Sequence, residues 1–179
     1  MSVQERIIAV LREPNTSRIN FRHAGVPVYG SGFQTMATAI ERGTIQVRLP
    51  DMNNQRLAAA LHETGGAMYS HSTNTLTVAS PTFLSDGLAH NKALVVHEMT
   101  HALTDYHGEQ LSTLVSETCA YIAQMMYVRV NDLDIDGFLN PVHDFRLKNI
   151  FQIAWAIACL LYTSPSPRDA TLSRMPSSA

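Results

Sequence analysis

Two histidines and a glutamate in the middle of the chain have the types and the spacing that metal chemistry requires. They lie in the segment His97-Glu98-Met99-Thr100-His101. On an α-helix, residues four apart lie on one face, so the imidazoles of His97 and His101 can share one tetrahedral metal ion. Glu98 is rotated by about 100° around that helix. It can therefore hold a water molecule beside the metal without binding the metal itself.

This HExxH spacing is typical of zinc metallopeptidases. With 8 histidines in 179 residues, chance produces it in roughly 0.01 of such chains. The neighbouring residues are apolar, and Glu98 is the only charged residue between Lys92 and Asp105. An uncompensated carboxylate on a buried helix is costly, and a metal ion with its water compensates for it. We therefore favour a metal site over an ordinary surface patch of histidine and glutamate.

A catalytic zinc ion usually has a third protein ligand, and two residues are candidates. His107 follows His101 at the metzincin spacing, but Thr104 stands where that pattern needs a glycine, and a continuous helix would carry His107 out of reach. Glu117 lies on the next predicted helix. The turn near Gly108 is about 9 Å along the first helix from His101 and about 12 Å along the second from Glu117. An antiparallel pair brings Glu117 almost level with the histidines, so we favour Glu117, with His107 or no third protein ligand as the alternatives.

Periodicity and turn residues predict the elements that must position this site. The motif lies on a long helix that Asp86 caps and Gly108 ends. Apolar spacing predicts further helices, and alternation predicts short strands, two of them in a hairpin with its turn at residues 71–74. The predicted helices are 3–11, 33–42, 53–63, 86–106, 109–130 and one from 142, and the predicted strands are 44–49, 67–70 and 75–79.

The composition is that of a globular chain with a single core, since 45% of the residues are hydrophobic and 16% are charged. The net charge of −2 argues against a main role in binding nucleic acid or an anionic membrane. The N-terminus lacks the apolar core of a signal peptide, and the longest apolar run, 151–161, is too short to span a bilayer. Cys119 and Cys159 form no CxxC motif, so we predict buried thiols in a reducing, cytoplasmic setting.

The end of the sequence differs from the rest. From about residue 162 it reads YTSPSPRDATLSRMPSSA, and Pro165 and Pro167 end any helix that arrives from the left. This string resembles a translated sequencing-adapter read-through, and the alternative is an ordinary disordered tail. We expect one domain over 1–161, truncated at its C-terminus, followed by a non-native disordered tail over 162–179.

The segments VVHEMTHALTD and SETCAYIAQ together resemble the gluzincin group of zinc metallopeptidases, and more narrowly the small bacterial HExxH proteins called minigluzincins. The resemblance covers about residues 91–124. It implies an α+β, zincin-like fold, in which a small mixed sheet packs on the HExxH helix and on an antiparallel helix with the third ligand. It also implies one zinc ion, held by His97, His101 and Glu117, with Glu98 as general base. In such enzymes the edge strand before the motif helix pairs with extended substrate, which here would be about residues 75–79.

One position departs from the larger gluzincins, which often place an acidic residue one turn beyond the glutamate ligand to orient a histidine. Tyr121 stands there, and Asp105 is the candidate for this work instead, unless it is a surface carboxylate at the helix end. Tyr121 is also a catalytic candidate, as a donor to the oxyanion, and His143 is the second. Core packing of Tyr121 and a surface position for His143 are the alternatives.

These features predict a zinc-dependent metallopeptidase that hydrolyses peptide bonds through a zinc-bound water activated by Glu98. Its partner would be a peptide or protein substrate. The sequence does not separate an endopeptidase from an aminopeptidase, and it does not indicate an oligomeric state. The alternative is a zincin-like zinc-binding scaffold or interaction protein without significant proteolytic activity. Glu98 favours the enzyme, because a structural site does not require a base.

Weaker signals predict no further site. Residues 132–137 open like a calcium loop, but the twelfth position is His143 instead of glutamate, so we expect an acidic turn. Gly30-Ser31-Gly32 could meet a phosphate at a helix start, but no other part of a nucleotide motif is present, so we expect a flexible connection. Three histidines are expected at the surface, namely His23, His71 and His90.

Overall fold

The computed structural model of the chain describes residues 1–51, 54–63, 65–85, 88–108, 111–140 and 142–163. Within these ranges the chain forms helices and short strands, with all strands in the first half of the chain, which agrees with the predicted α+β class. The helices are α1 (Val3–Leu11), α2 (Gly30–Glu41), α3 (Gln55–Glu63), α4 (Ala89–Tyr106), α5 (Thr113–Val130), α6 (Ile135–Leu139) and α7 (Phe145–Thr163), with a 3-10 turn at Thr16–Arg18. The strands are β1 (Asn20–His23), β2 (Val26–Tyr29), β3 (Gln46–Arg48), β4 (Ala67–Ser70) and β5 (Thr75–Val78). None of these helices is both long enough and apolar enough to cross a membrane.

The centre of the fold is a pair of antiparallel helices, α4 and α5. Both are apolar around most of their circumference and lie in the core, as expected for helices that are covered on several sides. After α4 the backbone turns at Gly108, with φ of 70°. The hydroxyl of Ser112 caps α5 and accepts a hydrogen bond from the Val115 N–H. The predicted cap Asp86 and the predicted helix residues 109–110 lie outside the described residues.

A three-stranded sheet of order β3-β5-β4 packs on α4. β4 and β5 form the predicted hairpin, and Asn74 in its turn adopts φ of 49°. β3 pairs with β5 in parallel and is connected to the hairpin through α3. The expectation that residues 75–79 form the edge strand is therefore wrong, because β3 covers β5 on the side away from β4. The edge strand beside α4 is β4.

The elements of the N-terminal region surround α4, and the sequence pattern predicted only some of them. α1 and α2 pack on each other and on α4, and the hairpin of β1 and β2 between them was not predicted. The start of α2 approaches its neighbours closely. A Cβ on Gly30 would clash with the backbone of Ser17, and one on Gly32 would lie 2.7 Å from a methyl carbon of Leu103. Close packing, and not a flexible connection, accounts for these glycines.

The last helix, α7, packs on α5 and reaches the central pair with its aromatic residues. The ring of Phe151 lies 5.5 Å from the ring of Tyr121. Tyr162 belongs to α7, and the guanidinium of Arg129 lies 4.9 Å from its ring centre. The helix thus continues past residue 161, the predicted end of the folded domain. The rest of the predicted tail, 164–179, lies outside the described residues.

Local structure explains the acidic segment at residues 132–137 and shows where the two cysteines lie. The carboxylate of Asp134 caps α6 by accepting hydrogen bonds from the N–H groups of Asp136 and Gly137, so part of the predicted acidic turn is the start of a short helix. Cys119 is buried, Cys159 is partly buried, and no disulfide joins them.

Candidate metal centre

Three side chains from α4 and α5 bring their ligand atoms to one point. The Nε2 atoms of His97 and His101 are 3.3 Å apart. The Glu117 carboxylate lies 3.6 Å from each of them, through Oε2 to His97 and Oε1 to His101. Ligands at about 2.0–2.1 Å from a tetrahedral metal are separated from one another by roughly 3.3–3.4 Å. The distance between the two Nε2 atoms matches this separation, and a different Glu117 oxygen faces each histidine, so these residues could hold a metal ion.

Two polar residues of α5 orient the histidines. Nδ1 of His97 lies 3.0 Å from Oε1 of Gln124, and Nδ1 of His101 lies 2.8 Å from Oγ of Ser116. A metal-binding histidine normally uses its second nitrogen in this way, which fixes the ring and directs the first nitrogen at the metal. The sequence analysis did not identify Gln124 or Ser116. The signal was available, because Gln124 stands seven residues after Glu117 and thus on the same helix face.

Glu98 is buried beside the centre, with 5% of its surface exposed. Its Oε2 accepts a hydrogen bond of 2.7 Å from the backbone N–H of Tyr69 in the edge strand β4. Burial raises the pKa of Glu98, and the charge of Glu117 adds to this, whereas His97 and the Tyr69 N–H act in the opposite direction. The arrangement provides a carboxylate of raised basicity that a single backbone donor holds in place.

Two of the three side chains, His101 and Glu117, are in the states that metal binding requires. Burial, with a contribution from His97, lowers the pKa of His101 to about 4, although Glu117 opposes the shift. The hydrogen bond with His97 and the proximity of His101 lower the pKa of Glu117. At neutral pH His101 is therefore neutral and Glu117 ionised, as metal coordination demands.

The alternative third ligand, His107, lies outside this cluster. α4 continues through Thr104, whose hydroxyl donates to the carbonyl of His101. His107 follows the last turn as its C-cap and is exposed. The chain therefore does not break at Thr104 in the way that the metzincin spacing would require, and the structure places Glu117, not His107, next to the two histidines.

Asp105 does not orient a ligand histidine in the way that the sequence suggested. Its carboxylate accepts a hydrogen bond of 2.9 Å from the Tyr69 hydroxyl and lies 3.2 Å from Nδ1 of His71. It links α4 to β4 and to the hairpin turn. His71 is exposed, as expected, but it also lines the cavity at the site. His90, expected at the surface, is half-buried, and its Nδ1 has no hydrogen-bond partner among the described residues.

The centre opens into a cavity of about 1350 Å³. Tyr121 lies on its inner surface, with its ring 4.6 Å from the ring of His97. Burial, together with Glu117 and Glu98, raises the pKa of Tyr121, so its hydroxyl stays protonated. His143 also lines the cavity and is exposed. Both predicted oxyanion donors thus face the same space as the metal ligands.

No family model matches the sequence, and neither a curated protein nor a solved structure is detectably similar to it. The features on which a function can be based are therefore the chain's own: an α+β fold, a His–His–Glu group that could hold a metal ion, and a buried carboxylate beside it.

Proposed function

We propose that the protein is a zinc-dependent metallopeptidase with a zincin-like fold. The observation that carries the proposal is the grouping of ligand atoms from His97, His101 and Glu117 within 4.8 Å of one another, with the buried carboxylate of Glu98 next to them. Burying an ionised carboxylate is unfavourable, and a purely structural metal site would not require one. A catalytic site does, because it needs a base.

Zinc fits the donor set. Two imidazole nitrogens and one carboxylate oxygen form the three-ligand group of many catalytic zinc sites, which leaves one position open. When bound, zinc supplies a Lewis acid and lowers the pKa of water that it coordinates.

Glu98 is the general base in this proposal. It accepts a proton from the attacking water and delivers it to the nitrogen of the leaving amine. Its raised pKa suits both steps, because a base works best when its pKa lies near the working pH. The hydrogen bond from the Tyr69 N–H leaves Oε1 as the second carboxylate oxygen for the proton transfer.

The substrate is a peptide that lies extended along the edge strand β4. An edge strand offers outward-facing backbone groups for pairing with another chain. β4 borders the cavity through Met68 and Tyr69. The peptide would pair with the outward-facing groups of β4 other than the Tyr69 N–H, which Glu98 already holds. Tyr121 is the nearer candidate donor to the oxyanion, since its ring contacts that of the ligand His97. We expect the reaction to take place in the cytoplasm, where both cysteines remain thiols.

Glu98→Gln tests the proposal, because glutamine keeps the size of the side chain and loses the base. We expect about one zinc per chain in both the wild type and the variant, and a loss of peptide cleavage of about 10²- to 10⁴-fold in the variant. Metal content is measured by elemental analysis and cleavage with a peptide library. Zinc in both proteins without cleavage by either would favour a zinc-binding scaffold over the enzyme. A folded wild type without zinc would contradict both functions.

A further inference from the structure

One wall of the cavity runs from the metal centre to solvent along α7. Three of its residues, Asp144, Leu147 and Phe151, are spaced by three and four positions, so they follow one face of the helix, and all three line the cavity. Phe151 is at the inner end, where its ring contacts Tyr121 and Tyr121 contacts His97. This wall therefore starts two ring contacts away from a metal ligand.

Asp144 is at the outer end, about 10 Å further along the helix axis. Its Oδ1 accepts hydrogen bonds from the N–H groups of Arg146 at 2.7 Å and Leu147 at 3.1 Å. Among the described residues that line the cavity there is no lysine or arginine, and the side chains of Arg146 and Lys148 are not part of that lining.

An apolar wall that ends in a carboxylate has the shape and the charge of a site for a long cationic side chain. Lysine and arginine place their methylene stems on apolar surface and keep their charged heads near water. We propose that this wall is a specificity subsite for a lysine or arginine of the peptide substrate, with the stem on Leu147 and Phe151 and the charge at Asp144. The inference rests on the proposed peptidase function. An acidic side chain would meet a like charge there and is disfavoured.

The chain offers a matched pair of variants. Asp144→Asn removes the charge and keeps the helix cap, because asparagine caps as well as aspartate. Asp136→Asn removes the same charge from an exposed position on α6 that does not line the cavity. The zinc-loaded full chain is assayed with short alanine-based peptides, blocked at both ends. One position, scanned along the peptide, is lysine, norleucine or glutamate. Norleucine retains the stem and lacks the charge.

We expect the best lysine peptide to have a kcat/KM about two- to fivefold above that of its norleucine counterpart, the order of one partly exposed ion pair. The glutamate peptide falls below norleucine. In Asp144→Asn the lysine advantage disappears, whereas in Asp136→Asn it remains. Equal rates for lysine and norleucine in the wild type would overturn the proposal, and so would a lysine preference that survives Asp144→Asn.

Binding to a protein without the base separates this proposal from the peptidase function. Zinc-loaded Glu98→Gln, with and without Asp144→Asn, is titrated with the fluorescently labelled lysine and norleucine peptides. A lysine preference that requires Asp144, in a protein whose wild type cleaves nothing, supports the subsite and contradicts the peptidase. Cleavage without a preference contradicts the subsite alone. Absence of both binding and cleavage overturns both proposals.

Discussion

The floor and the rim of the cavity are built in opposite ways. The floor consists of His97, Glu98, His101, Glu117 and Gln124. Its buried polar side chains contact defined partners, as the pairs His97–Gln124 and Glu98–Tyr69 show. At the rim, His71 and Asp144 are exposed to solvent. The floor therefore fixes geometry, because a buried polar group without its partner is costly. The rim carries charge, which solvent and salt screen.

The largest effect is expected from removal of a ligand on the floor. We expect His97→Ala and Glu117→Ala to lose the metal, whereas His107→Ala keeps it. A ligand that binds only the folded state stabilises it by about 2.7 kcal/mol at a hundredfold excess over Kd, so zinc should raise the Tm of the wild type and of His107→Ala but not of the other two. Elemental analysis and thermal unfolding with and without chelator measure this. Metal loss in His107→Ala would transfer the third-ligand role to His107.

The next effect concerns the partner of His97. Gln124 is 1% exposed, so Gln124→Leu preserves most of the packing and removes the acceptor from Nδ1 of His97. We expect the zinc affinity to fall by about 10- to 100-fold and the metal-free protein to lose about 1–3 kcal/mol of unfolding free energy. Competition with a chromophoric chelator gives the affinity. Ser116→Ala is the comparison, with a smaller loss, because His101 is more exposed than His97. An unchanged affinity in Gln124→Leu would show that the floor does not depend on this contact.

The metal-free floor should also respond to pH. The folded-state pKa of His101 is lowered to about 4, below the ordinary value for histidine of about 6.5. Between these values the unfolded chain binds a proton that the folded chain does not. Burial of His101 therefore costs nothing above about pH 6.5, where the ring is neutral in both states, and destabilises the fold increasingly as the pH falls towards 4. Glu98, whose pKa is raised, works in the opposite direction. Denaturant unfolding in chelator should show a smaller acid loss in His101→Asn than in the wild type, and equal slopes would contradict the assignment.

The smallest effect is expected at the rim. The pair of His71 and Asp105 is largely exposed on the histidine side, so His71→Ala should change the free energy of unfolding by no more than about 0.5 kcal/mol. Zinc content should stay the same. Chemical denaturation and elemental analysis test this, with His23→Ala as the control. If His71→Ala lost cleavage and kept zinc, His71 would take part in the chemistry, and the division between floor and rim would fail.

The sequence predicted the parts of the site that lie along one helix or across one turn. His97, Glu98 and His101 follow from the helical period, and Glu117 follows from the rise per residue of an antiparallel pair. The helical period of α5 would also have indicated Gln124, because Gln124 lies two turns after Glu117 on the same face of the helix. The order of the strands in the sheet could not be predicted from such local spacing. Whether β5 lies at the edge depends on the pairing of β3, a contact between distant segments that leaves no local signal.

The hydrogen bond between the Tyr69 N–H and Glu98 has a consequence for solubility. An open sheet edge can template pairing between molecules, and proteins protect such edges with charge or with a covering element. Here one outward-facing donor of β4 is occupied by a carboxylate from α4. Glu98, the proposed general base, thus also blocks part of this sheet edge from pairing with another molecule. An inactive form for crystallisation should therefore carry Glu98→Gln, which keeps an acceptor for this donor, in preference to Glu98→Ala, which would leave the edge unguarded.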